Sequence, residues 1–169
     1  MQQIDAQNES APHIRSISQS DIKAVANIIR QVMTEFQAVG CGYSINDSEV
    51  DDMYTAYSPL GSEFFVIELN GEVLGCGGYA PLNGGDEDTC ELRKMYFLPS
   101  LRGTGMGVPL LKLCLERAKL NGYSRCYLET IDGMQQARRL YEKHGFVYLD
   151  EPMGSTGHSS CNTRMIRDI

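Results

Sequence analysis

Apolar residues recur at helical spacing at Ile22, Val25, Ile29, Val32, Met33 and Phe36. This predicts a first helix from about Asp21 to Ala38, with Ser20 as a candidate N-cap and Gly40 and Gly42 as its stop. Asn46-Asp47-Ser48-Glu49 opens a shorter second helix with Val50, Met53, Tyr54 and Tyr57 on one stripe, ending near Pro59 and Gly61. Strand-like runs stand at His13–Ile17, Phe64–Leu69 and Glu72–Ala80. Asn70-Gly71 joins the last two in a type I′ hairpin, because both central positions of that turn need positive φ. Gly75, Gly77 and Gly78 weaken the returning strand and mark a bulge or a close approach.

The second half is more regular. A strand over Thr89–Leu98 leads into a helix from about Val108 to Asn121. That helix turns Leu110, Leu111, Leu113, Cys114, Leu115 and Ala118 inward, with Pro109 tolerated in its first turn and Asn121-Gly122 at its end. A strand over Tyr123–Thr130 precedes a fourth helix, Met134–His144, whose stripe is Ala137, Leu140, Tyr141 and His144 and whose stop is Gly145. Strands over Phe146–Leu149 and Cys161–Ile166 flank a Gly/Ser/Pro-rich loop, 150–160. The order is βααββ then βαβαββ, which defines an α/β chain with a mixed sheet and helices packed on its faces.

Composition narrows the function classes. The 169 residues fit one domain, read as 13–169, behind a polar, aperiodic leader over 1–12. A net charge of −7 argues against a nucleic-acid partner, which needs a cationic surface. Six cysteines form no C-x-x-C pair and no close Cys/His cluster, so no metal site is expected. There is no 18-residue apolar run, and no signal-peptide pattern opens the chain. A cytoplasmic protein with no membrane partner is expected.

The stretch Glu91–Gly107, ELRKMYFLPSLRGTGMG, carries the chemistry. A strand, a glycine turn and a helix N-terminus together bring unpaired backbone N–H groups close to an anion. A P-loop would need Lys-Ser/Thr after the glycines, and a dinucleotide fingerprint would need a third glycine where Val108 or Leu110 stands. What fits is R-x-x-G-x-G/A, here Arg102-Gly103-Thr104-Gly105-Met106-Gly107. With A-x-x-L-Y-x-x-x-G-F (Ala137, Leu140, Tyr141, Gly145, Phe146), it makes the chain resemble the GCN5-related N-acetyltransferase superfamily over about residues 13–166.

The resemblance implies a mostly antiparallel sheet of about seven strands, acetyl-CoA as co-substrate, and direct transfer to an amine acceptor. It implies that Arg102, Gly103, Thr104, Gly105, Met106, Gly107 and Val108 hold the CoA pyrophosphate. The strand edge at Met95, Tyr96 and Phe97 then pairs with the pantetheine, where the sheet splays. Met134, Ala137 and Tyr141 complete the cofactor set, although Met134 stands where many members have Asn. The family often dimerises, so a homodimer is also allowed. A non-catalytic acyl-CoA sensor is the alternative; it would not need acid and base residues.

An amine with a Lys-like pKa of about 10.4 is neutral in only about one molecule in 2,500 at pH 7, a cost of about 4.6 kcal/mol. A general base is therefore useful, and Glu91 at the start of the motif strand is the candidate, against a plain solvated carboxylate. Tyr141 matches the family tyrosine that protonates the departing thiolate. Glu129 is a weaker base candidate with a structural reading in front. His158 reads as a surface-loop histidine, and Cys161 as a remote candidate for an acyl relay with it. Arg93 and Lys94 are expected on opposite faces of their strand.

Overall fold

The computed structural model describes residues 10–169. The first nine residues of the expected leader lie outside the described residues; Ser10 hydrogen-bonds Asn70. Seven strands form one sheet: β1 His13–Ser16, β2 Glu63–Leu69, β3 Glu72–Pro81, β4 Thr89–Phe97, β5 Arg125–Thr130, β6 Val147–Leu149 and β7 Thr163–Asp168. Their order is β1-β2-β3-β4-β5-β7-β6. Neighbours are antiparallel throughout except β4 and β5, which are parallel. The helices are α1 Ile22–Glu35, α2 Met53–Ala56, α3 Gly107–Leu120 and α4 Gln135–Lys143.

The sheet separates two apolar clusters. One takes α3, through Leu110 and Leu111 and with α4 against it, over Tyr79, Leu92, Leu128 and Met165. The other takes α1 and the 44–57 segment over Val66, Cys76 and Ala80. The sheet is thus the mixed, mostly antiparallel one expected, with helices on both faces.

Three helices end in the same device, in which the two residues after the cap bond back to the last turn. In α4 Gly145 has φ +82°, its N–H reaches the Glu142 carbonyl, and Phe146 N–H reaches Tyr141. The Phe146 ring then packs 5.7 Å from the Tyr141 ring. The Tyr-x-x-x-Gly-Phe spacing is therefore a helix stop that also fixes the Tyr141 ring. Gly122 does the same for α3. In α1 the position is taken by Gln37 at φ +57°, so the helix stops at Glu35, short of Ala38 and of the glycines assigned as its stop. Its start also differs. Ser18, not Ser20, closes the entry: its N–H donates to the Asp21 carboxylate at 2.7 Å.

The second helix is not continuous. Asp47 and Asp52 take non-helical backbone, and the Asp52 carboxylate caps Thr55 N–H at 3.0 Å. Short polar side chains that bond nearby backbone groups break the expected helix into single 3₁₀ turns before α2. Val50, Met53 and Tyr57 are buried as expected, but Tyr54 is 41% exposed. The Asn70-Gly71 turn has φ of +53° and +81°, as the hairpin requires.

Candidate active site

β4 and β5 part early. Only Thr89, Cys90 and Glu91 pair with Arg125, Cys126 and Tyr127. Beyond Glu91, β4 continues to Phe97 against β3 alone, so its other edge offers unpaired backbone toward the gap. The gap opens into a cleft of about 740 Å³, bounded by that edge, by the Gly103–Val108 turn and by α4. Gly103 and Gly105 have φ of +77° and +83°, which only glycine adopts without strain. A Cβ on Gly107 would lie 3.2 Å from Leu140, so this glycine lets α3 start close against α4.

Of the residues assigned to the cofactor from the sequence, all but Thr104 line this cleft. The Thr104 hydroxyl instead donates to the Leu101 carbonyl at 2.7 Å. Arg102 lines it, but its guanidinium is occupied. Two nitrogens meet Glu35 at 2.6 and 2.8 Å, Nε donates to the Phe97 carbonyl at 2.9 Å, and the group stacks over Phe36. Arg102 ties the turn to α1 and to the end of β4.

Met95, Tyr96, Met134, Ala137 and Tyr141 also line a smaller inner cavity, so the two spaces meet at Tyr141. Tyr141 is buried, 6% exposed, and lines both spaces. Burial raises its pKa, so the hydroxyl holds its proton.

The inner cavity is charged. Glu91 is 3% exposed, which overturns the solvated-carboxylate reading. Burial raises its pKa, against the opposing pull of Arg93, whose Nε lies 2.7 Å from Glu91 Oε2. Single ligand atoms of Glu91, Glu129 and His158 lie within 4.8 Å of one another. Glu129 accepts from the hydroxyls of Tyr127 at 2.7 Å and Thr156 at 2.8 Å. Burial pushes its pKa up, but these bonds and His158 outweigh burial and leave it lowered.

His158 is no surface histidine; its side chain is 11% exposed. Its Nε2 meets Asp47 at 2.9 Å and its Nδ1 stands 3.6 Å from Glu129. Burial opposes its charged form, yet the two carboxylates push its pKa up to about 9. Asp47, missed in the sequence, also holds Lys94 Nζ at 2.6 Å, and Glu49 lies 3.0 Å from the same nitrogen. Cys161 lines the cavity too, but burial pushes its pKa up to about 12, which removes the thiolate an acyl relay needs.

Arg93 and Lys94 do not face opposite sides. Gly77 on β3 stands opposite two residues of β4, Lys94 and Met95, and Lys94 has φ +52°. This bulge shifts the side-chain alternation by one residue. Cys90 and Leu92 before it, and Met95 and Phe97 after it, share the α3 side. Arg93 and Lys94 consequently both reach Glu49, on the α1 side.

The family model for the acetyltransferase (GNAT) family matches residues 27–146. An uncharacterized N-acetyltransferase of Escherichia coli K12, YjgM, is 42% identical over 160 residues, covering 94% of this chain and 96% of that one. A GNAT-family acetyltransferase structure from Staphylococcus aureus superposes with a TM-score of 0.77 at 21% identity, covering 94% and 99% of the two chains. A Salmonella typhimurium acetyltransferase structure, described with its cofactor acetyl-CoA, gives 0.74 at 22% identity, covering 94% of each. The chain belongs to the acetyltransferase (GNAT) family and is an N-acetyltransferase.

Proposed function

We propose that the outer cleft takes acetyl-CoA and the inner cavity takes the reacting amine, with direct transfer where the two meet. Acetyl-CoA is the acetyl donor. The observation that carries the assignment of sites is their shared wall: Met95, Tyr96, Met134, Ala137 and Tyr141 border both the cleft at the glycine turn and the cavity that holds Glu91.

In this reading the pyrophosphate lies against backbone N–H groups of Gly103–Val108 at the start of α3, which has fourteen residues and no acidic residue in its first turn. The pantetheine amides pair with the β4 edge at Met95–Phe97, as an added strand would. A β4 backbone N–H beside the bulge stabilises the tetrahedral oxyanion. Arg102 and Thr104 shape the turn and do not grip phosphate through their side chains.

Glu91 accepts a proton from the bound ammonium. The freed amine attacks the thioester carbon, forming the N–C bond. Collapse breaks the C–S bond, and the departing thiolate takes the Tyr141 proton. The nitrogen loses its second proton, which restores Tyr141 through solvent, so one proton leaves per turnover. Glu91 at its raised pKa is a stronger base than an exposed carboxylate, and a protonated Tyr141 is the matching acid. Both groups are present, which favours the enzyme over a sensor.

Calorimetry with acetyl-CoA, followed by thiol release with a panel of primary amines, tests the reading. Amine-dependent thiol release is expected. Tight CoA binding with no release on any amine would favour the sensor.

A further inference from the structure

Resting on the assignment of the inner cavity to the acceptor, we propose that the acceptor is a primary amine that binds as its ammonium ion and carries no carboxylate on the carbon next to the nitrogen.

Among the described residues, every cation that lines the cavity is already taken. Arg93 is held by Glu91 at 2.7 Å and by the Pro81 carbonyl at 3.0 Å. Lys94 has a side chain only 2% exposed and lies between Asp47 and Glu49. His158 lies between Asp47 and Glu129. A substrate carboxylate entering here would meet no free positive group among the described residues that line the cavity. It would lie beside Glu91 and Glu129 with little water to screen it, and an unpaired buried charge is strongly disfavoured.

Asp47 and Glu49 hold Lys94, and Asp47 and Glu129 hold His158. Glu91 is the carboxylate with room for an ammonium. Its Oε2 is used by Arg93, while Oε1 accepts from no group among the described residues and the side chain lines the cavity. That oxygen is the site's free acceptor, on a side chain more than nine-tenths buried. Binding the ammonium there also puts its proton on the base that must remove it.

The test compares amines with the amino acids from which they differ by one carboxylate: phenethylamine with phenylalanine, agmatine with arginine, tyramine with tyrosine, and histamine with histidine. Acetyl-CoA binding is first measured by calorimetry on the full chain. Then kcat/KM is measured for each pair, and binding of each member to the CoA-bound protein. The amine of a pair is expected to exceed its amino acid by at least tenfold. Glu129→Gln removes one of the two carboxylates that a substrate carboxylate would lie beside and is expected to narrow that ratio. An amino acid used as well as its amine, or no amine bound although CoA binds, overturns the proposal while leaving the donor assignment standing. Failure of acetyl-CoA to bind removes the donor assignment, and this inference with it.

Discussion

Glu91 and Tyr127 are the last residues paired between β4 and β5. One step farther along, the sheet is open. The proposed base therefore sits where the paired part of the sheet ends, in the wall of the inner cavity. The same parting leaves the β4 edge unpaired, so in the proposed reading one structural event places both donor and base.

Glu91→Gln keeps the shape and the bond from Arg93 while removing the basicity. The expected loss in kcat/KM is roughly 10²- to 10⁴-fold. The wild-type profile against pH should rise with an apparent midpoint above the ordinary carboxylate range, because burial raises the Glu91 pKa. The variant should lack that ascending limb. A loss below about tenfold with the limb intact removes Glu91 as base.

Tyr141→Phe should lower kcat and leave acetyl-CoA affinity within about twofold, since the ring and its packing on Phe146 stay. Stopped-flow measurement of single turnover beside calorimetry separates the two quantities. An unchanged kcat takes Tyr141 out of the reaction.

Gly105→Ala tests the turn. A Cβ there meets nothing within 4 Å, so the change acts through the backbone alone, at φ +83°. Forcing an alanine into that region costs roughly 1–2 kcal/mol, or lets the turn relax out of shape. Either outcome is expected to weaken acetyl-CoA binding at least tenfold with the fold intact by circular dichroism. Full affinity in a folded variant would separate the turn from the phosphate.

The glycine turn and the Tyr-x-x-x-Gly-Phe stop were legible because each is local, and its spacing is the geometry. The charged cavity was not. Asp47 and His158 are 111 residues apart and meet only through the fold. Asp47 also lay in what reads as a helix start, which hid its turn conformation. His158 sits in a Gly/Ser-rich loop, which resembles a solvated segment until the ion pairs fold it inward. The β4 bulge did leave a trace: apolar residues at Cys90, Leu92, Met95 and Phe97 skip one beat between Leu92 and Met95. Gly77-Gly78 on the facing strand coincides with that skip. A Cβ on Gly78 would come within 2.3 Å of the Glu63 carbonyl oxygen, so β2 and β3 close up beside the irregularity.

The clasp made by His158 also predicts how stability depends on pH. Its pKa rises from 6.5 to about 9 on folding, because Asp47 and Glu129 outweigh the burial that favours the neutral ring. A group whose folded pKa is raised contributes stability that is complete below its unfolded pKa and lost as pH rises through the folded one. The chain should thus lose stability between about pH 6.5 and pH 9, by of order 2–3 kcal/mol at about 1.4 kcal/mol per pKa unit. Asp47 and Glu129 have lowered pKa values and act with the opposite sign, so their contribution is lost in acid. Urea unfolding across pH 5–10 should show the alkaline decline in the wild type and a flat profile in His158→Gln. A variant that keeps the full decline would show that the titrating group lies elsewhere.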